Sequence, residues 1–216
     1  MALMRIGVLI SGRGSNLQSL IDAQQSDGFP AEIVTVISNI PDVLGLERAE
    51  NAGVATRVID HTDYADRETF ENALHEALAL ADVELVCLAG FMRILTDGFV
   101  ERWRDKLINI HPSLLPSFKG LHTHERALEE GVRFSGCTIH FVRPAMDDGP
   151  IIIQAAVPIL AGDTRDDLAA RVLEQEHIVY PQAVRMIAED RIEVDGKRVK
   201  INDAGQPAGA IINPSK

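Results

Sequence analysis

Asn109 and His111 stand two residues apart at the end of the apolar run Leu107-Ile108-Asn109-Ile110-His111, immediately before Pro112. In extended backbone, residues i and i+2 face the same side, and the residue before a proline is pushed out of the helical region. If a strand continues through His111, an amide and an imidazole project together. That pair suits acyl transfer, in which attack of an amine on a carbonyl or formyl group builds negative charge on one oxygen and leaves a surplus proton on nitrogen. A side-chain amide aimed at the oxygen is worth about 2.7–4 kcal/mol. An imidazole exchanging a proton near neutral pH contributes roughly 10²- to 10⁴-fold. A neighbouring carboxylate would favour the charged ring, and the segment "AMDDGP" offers two candidates, Asp147 and Asp148. Each of these residues also has a plain structural reading. A strand histidine can simply be packed, and Asp147-Asp148 before Gly149-Pro150 can simply form a turn. The remaining histidines take such readings: His61 and His75 at the surface, His122 and His124 opening a helix, His140 packed or hydrogen-bonded in a strand, and His177 in a helix beside Glu176.

A second candidate lies near the N-terminus, where "SGRGSNLQSL" follows a short apolar run. Gly12-Arg13-Gly14 begins like a dinucleotide fingerprint, but the sixth position is Leu17, and the next strand ends in Ser38-Asn39 with no acidic residue. The dinucleotide pattern fails at both points. No Gly-Lys-Ser/Thr is present for an NTP-binding loop. A helix N-terminus with backbone N–H groups at Gly14, Ser15 and Asn16 remains, and it suits a single phosphate. A tight turn with Ser15 or Asn16 as N-cap is the alternative.

These residues need elements to hold them. Strands are expected over 5–11, 32–38, 56–60, 84–89 and 107–110, alternating with helices over 15–26, 44–53, 66–81 and 97–103. That rhythm predicts an α/β fold: a Rossmann-like open, mostly parallel sheet with helices on both faces. After residue 120 the pattern changes. A helix near 122–130 precedes strands at 136–142 and 151–159, whose short connection makes them antiparallel neighbours. A long helix over 165–187, interrupted by Pro181, follows, and Asp195-Gly196 marks a hairpin. The tail "GQPAGAIINPSK" is expected to be poorly ordered. We read one domain over 1–216, with a phosphate-binding half over about 1–105, a catalytic half over about 106–190 and an antiparallel C-terminal portion with hairpin and tail over 191–216.

Composition narrows the function further. The net charge of −11 argues against a nucleic-acid binder, although a few local basic residues could still reverse the field within one cleft. No apolar run is long enough to span a bilayer, and the N-terminal segment reads as a strand rather than a signal peptide. Cys87 and Cys137 lie in apolar runs and are expected as buried free thiols of a reducing, cytoplasmic compartment. Neither they nor the histidines show metal-ligand spacing, so no metal is expected.

The segments "LISGRGSNLQSLID", "CLAGFMRILT", "LINIHPSLLPSFKGLHTHERALEEG", "MDDGPIIIQAAVPI" and "ARVLEQEHIVYP", in this order over about residues 5–191, resemble the phosphoribosylglycinamide formyltransferases of purine synthesis. The resemblance implies transfer of a formyl group from the co-substrate 10-formyltetrahydrofolate to the amine of glycinamide ribonucleotide, without metal or covalent intermediate. It implies catalytic roles for Asn109, His111 and Asp147. Gly14, Ser15 and Asn16 match the phosphate segment, and Glu176 matches a ribose-binding residue. Arg67, Met92, Arg93, Ile94, Leu95 and the loop from Arg143 to Asp147, together with Asn109, match the folate-binding positions. Asp148 departs from the family pattern, which has a small residue there. The partners implied are these two small molecules, with no nucleic acid and no membrane; a homodimer is compatible with the reading. Related enzymes acting on methionyl-tRNA or deformylating the folate would carry a further domain at the C- or N-terminus, and none is expected here. A non-catalytic nucleotide-binding module is a further rival, and the retained Asn109, His111 and Asp147 argue against it.

Overall fold

Period-two alternation in the first strand decides how the layers form. β1 (Met4–Ile10) sends Ile6, Val8 and Ile10 into one apolar cluster and Leu9 into another, so both of its faces are covered. Gly7 lies on the second face, where an added Cβ would meet Leu78 at 2.7 Å; only a glycine lets the helix layer approach this closely. The structure is a computed structural model that describes residues 2–205 and 209–214.

β1 is followed by α1 (Ser15–Gln24), β2 (Ala31–Ser38), α2 (Leu44–Asn51), β3 (Thr56–Val58), α3 (Arg67–Leu80), β4 (Leu85–Leu88), α4 (Asp97–Arg102) and β5 (Leu107–His111). Then come α5 (Thr123–Glu129), β6 (Phe134–Phe141), β7 (Ile151–Pro158), α6 (Arg165–Ala188), β8 (Ile192–Asp195) and β9 (Arg198–Ile201). The main sheet has the order β3-β2-β1-β4-β5-β6-β7, parallel through β5, with β6 antiparallel to both neighbours. β8 and β9 form the separate hairpin expected at Asp195-Gly196. The chain therefore has the expected mostly parallel α/β architecture. Strand order reverses between β1 and β4, and the carboxyl ends of these strands border the crevice where open sheets of this type bind ligands.

One face of the sheet carries α1 and α6 over a core that includes Leu17, Leu20, Val172 and Tyr180. The other carries α3 and α4 over Phe70, Leu74, Leu78 and Trp103. β5 extends through His111. Because Leu107 packs in the α3/α4 core while Ile108 and Ile110 pack in the other, Asn109 and His111 lie on the α3/α4 face of the sheet.

One expectation is corrected. α6 is not interrupted at Pro181 but runs unbroken over Arg165–Ala188. The proline removes one backbone N–H from the helix, yet its neighbours Val179, Tyr180, Ala183 and Val184 are all buried and hold the C-terminal turns onto the sheet. The helix starts at a capping box: Thr164 accepts from the Asp167 N–H, and the Asp167 carboxylate accepts from the Thr164 N–H at 2.9 Å. Thr164→Ala removes one half of that box, so urea unfolding is expected to show a loss of about 0.5–2 kcal/mol with an unchanged m-value. In the tail, residues 206–208 and 215–216 lie outside the described residues. The Asn213 side chain donates to the carbonyls of Arg133 and Ile159 at 2.7 and 2.9 Å.

Candidate active site

β5 pairs with β6 so that Asn109 lies opposite His140 and His111 opposite Thr138. Residues directly opposite in an antiparallel pair share a face, so the sheet register alone brings a second imidazole to Asn109. The His140 Nδ1 lies 3.0 Å from the Phe141 carbonyl, which can only accept, so Nδ1 carries the proton and Nε2 is the acceptor. The Asn109 amide nitrogen lies 3.4 Å from that Nε2 and donates to it. Burial lowers the His140 pKa, keeping the ring neutral in this role. The amide is thereby oriented and keeps its second hydrogen for another acceptor.

Asp147 arrives from the loop between β6 and β7, in left-handed backbone with φ 50°. Its carboxylate stands between the two imidazoles, with Oδ2 3.5 Å from His111 Nδ1 and Oδ1 3.8 Å from His140 Nε2. Oδ2 also accepts the Gly120 N–H at 2.8 Å. His111 is buried, and its Nε2 lies 3.0 Å from the Phe118 carbonyl. Both ring nitrogens thus face acceptor oxygens, an arrangement in which an imidazolium donates twice. The loop lies flat against the end of β6: a Cβ on Gly149 would fall 1.6 Å from the Phe141 carbonyl oxygen, so only glycine fits there. Asp148 points away from the imidazoles, onto Lys119 and Lys197 at 2.6 and 2.8 Å. These two lysines hold its carboxyl down at about 2. Of the two aspartates, Asp147 is therefore the one that meets His111.

The glycine loop lies across the switch point. Gly14 has φ 68°, and an added Cβ would meet the Gly45 Cα at 2.7 Å. α1 begins at Ser15 without a side-chain cap, and its first intrahelical bond is from the Gln18 N–H to the Gly14 carbonyl at 2.9 Å. The N–H groups of Ser15, Asn16 and Leu17 precede that bond and are available to an anion. Asn16 does not cap the helix. Its amide nitrogen donates to the Glu176 carboxylate at 2.8 Å, while its buried Oδ1 has no partner among the described residues. Burial pushes the Glu176 carboxyl above its usual range, against the lowering effect of the Asn16 bond. An unpaired amide oxygen beside a buried acid suits a ligand rich in hydroxyl donors.

The segment after β4 borders the same crevice. Met92 donates its N–H to Ser11 Oγ at 2.8 Å, and Ser11 donates to Asn39 Oδ1 at 2.5 Å, tying the ends of β4, β1 and β2 together. Met92 and Ile94 are exposed while Leu95 is buried, and Arg93 lies half-buried between them. Two arginines are not brought to Asn109, His111 and Asp147. Arg143 is turned onto Asp105 and the Val142 carbonyl. Arg67 is exposed at the first turn of α3, at the carboxyl edge of the sheet, and makes no hydrogen bond among the described residues.

The formyl transferase family profile matches residues 4–184, spanning the main sheet and every group just described except Lys197. The chain belongs to the formyl transferase family. It is 44% identical over 203 residues to the phosphoribosylglycinamide formyltransferase of Escherichia coli K12, covering 91% of this chain and 96% of that protein. It is 53% identical over 185 residues to the trifunctional purine biosynthetic protein adenosine-3 of Drosophila melanogaster, covering 85% of this chain but 14% of that protein. The chain therefore spans less than a fifth of the length of such trifunctional relatives. The crystal structure of glycinamide ribonucleotide transformylase 1 from Symbiobacterium toebii superposes with a TM-score of 0.91 at 48% identity, covering 93% of this chain and 95% of that one.

In this formyl transferase three groups touch Asn109, His111 or Asp147 without a side-chain pattern that assigns them to the site: His140, Phe118 and Gly120. His140 is packed and hydrogen-bonded as expected, but its place beside Asn109 follows from the pairing of β6 with β5, which no local pattern states. Phe118 and Gly120 act through backbone atoms, which leave no side-chain signal. Both have positive φ, at 55° and 78°, and the Lys119-Gly120 dipeptide was the one visible hint of a turn.

Proposed function

We propose that this chain transfers the formyl group of 10-formyltetrahydrofolate to the amine of glycinamide ribonucleotide. The observation that carries the proposal is the convergence of Asn109, His111 and Asp147 at one corner of a crevice whose other side is an uncapped helix N-terminus. The crevice supplies a seat for each substrate. The N–H groups at Ser15 and Asn16, with Gly14 giving close backbone approach, receive the phosphate; Asn16 Oδ1 and Glu176 receive ribose hydroxyls. The exposed apolar side chains of Met92, Ile94 and Met146 give a flat folate ring system a surface to cover, with backbone groups of residues 92–95 and 143–147 for its polar edge.

In the reaction a C–N bond forms between the ribonucleotide amine and the formyl carbon, the bond from that carbon to N10 of the folate breaks, and one proton passes from the amine to N10. Asn109 donates its second amide hydrogen to the formyl oxygen as charge grows there. His111, anchored through Nε2 on the Phe118 carbonyl, stabilises the oxyanion through the positive charge of its imidazolium and gives up the Nδ1 proton that faces Asp147 at 3.5 Å as general acid. Asp147 holds the imidazolium. The location we assign is the cytoplasm, supported by buried free Cys87 and Cys137, whose thiols burial pushes up to about 12. Steady-state assays comparing glycinamide ribonucleotide with its dephosphorylated form test the proposal. The phosphorylated substrate is expected to win by about 100-fold or more in kcat/KM, the scale of two charge-assisted hydrogen bonds. Equal use of both, or no formyl transfer to either, would overturn the assignment.

A further inference from the structure

Asp148 stands next to Asp147 in the chain, and the structure gives it an occupation of its own. It takes Lys119 Nζ on Oδ1 at 2.6 Å and Lys197 Nζ on Oδ2 at 2.8 Å. Each partner belongs to a different segment. Lys119 sits in the loop after β5, between Phe118, whose carbonyl lies 3.0 Å from His111 Nε2, and Gly120, whose N–H donates to Asp147 Oδ2 at 2.8 Å. Lys197 stands at the tip of the β8–β9 hairpin, beside Gly196 with φ 61°. The hairpin lies beyond residue 184, where the family profile ends. It is nevertheless fixed: Ile192, Val194 and Val199 pack against the main core, and the Asn202 N–H donates to the Arg191 carbonyl at 2.9 Å. From that footing Lys197 reaches across a cleft of about 500 Å³, lined by Leu115, Pro116, Gly149 and Ile151, to the aspartate.

We propose that Lys119, Asp148 and Lys197 form a clamp that positions the catalytic pair of this enzyme, with Asp148 and Lys197 as positioning residues contributed by the loop and the hairpin. The clamp fixes the Lys119 side chain and therefore the peptide units on either side of it. Those are the units that aim the His111 ring and hold Asp147 Oδ2. Two cations on one carboxylate also cancel the charge that Asp148 would otherwise place beside Asp147. Asp148 is one-third exposed, Lys119 similarly so, and Lys197 mostly exposed, so salt screens the clamp. The carboxyl, held down at about 2, remains ionised above that pH; the clamp is present from neutral pH down and is lost only as pH falls through about 2.

The inference rests on the formyl-transfer reading, and its test separates the two. Lys197→Met, Lys197→Arg and Asp148→Asn are compared with the unchanged full chain by formyl transfer to glycinamide ribonucleotide and by amide hydrogen exchange at Gly120. Lys197→Met is expected to lower kcat by about 5-fold, the upper range for an exposed ion pair, and Asp148→Asn by more, with KM for the ribonucleotide unchanged. Lys197→Arg restores kcat. Gly120 exchanges faster in Lys197→Met and Asp148→Asn, and raising the salt concentration lowers kcat of the unchanged chain more than that of Asp148→Asn. Wild-type kcat in both charge-removing variants, or a fall in kcat with Gly120 exchange unaltered, overturns the clamp. If the unchanged chain transfers no formyl group, the functional reading fails, while Gly120 exchange still decides whether the clamp positions the loop.

Discussion

Replacing His111 by Asn is expected to cut kcat by roughly 10²- to 10⁴-fold, the contribution of a positioned imidazole. Asn109→Ala is expected to cost about 10²- to 10³-fold, the range for one lost oxyanion donor. KM for either substrate should change little, because both groups act on charge that develops only as the amine attacks. Neither variant should unfold the protein. Asn109 is half-buried, its only side-chain hydrogen bond among the described residues is the 3.4 Å one to His140, and its loss opens space beside the crevice rather than in the core. An Asn at 111 places its amide nitrogen where Nδ1 stands and so keeps a donor on the side of Asp147, whose Oδ2 lies 3.5 Å from Nδ1 in the parent. Steady-state rates beside thermal unfolding curves separate the possibilities. Near-native turnover in both variants would remove the basis of the proposed chemistry, and a collapse of the melting transition would show instead that β5 depends on these side chains for its fold.

The second large effect is expected from Ser15→Asp. A carboxylate at the first helical residue suits the helix, since negative charge stabilises an N-terminus, so stability should hold or rise slightly. The same carboxylate would face the substrate phosphate over the free N–H groups that precede the Gln18–Gly14 bond. At about 4 Å and an effective dielectric near 20, each pair of like charges costs roughly 4 kcal/mol before screening. KM for glycinamide ribonucleotide is expected to rise by about 10²- to 10³-fold, with KM for formylfolate nearly unchanged. Isothermal titration with each substrate checks it: equal weakening of both would reduce the loop to a turn. Gly14 is the less informative position. With φ 68° and Gly45 Cα 2.7 Å from any added Cβ, a side chain there would displace two backbones and confound binding with folding.

How the loops answer one another explains why a family resemblance was so readable in this chain. The stretches that carry it are the ends of β1, β4 and β5, the loop before β7 and the middle of α6, and each contributes to the crevice at the reversal of strand order. Backbone demands fix several of them. Gly149 cannot carry a Cβ against the Phe141 carbonyl, and Gly14 and Gly45 let two loops touch. Such positions admit one residue type for steric reasons, so they stand out in a sequence more plainly than the side chains that only line the site.

Local pattern alone determined the strands and helices, since period-two and 3.6-residue apolar spacing follow from backbone geometry. It also placed Asn109 and His111 on one face, because two residues along an extended chain is a full pleat. It did not determine the continuity of α6 through Pro181, which depends on burial of Val179 through Val184 against the sheet. Which strand lies beside β5 was likewise a matter of tertiary structure, and with it the place of His140 next to Asn109. The choice of Asp147 over Asp148 was settled by Lys119 and Lys197, which come from segments 29 and 49 residues away along the chain and meet only when the sheet and hairpin have folded. Side-chain identity is written locally, but partners brought together across the chain are set by packing and register, and no local spacing encodes those.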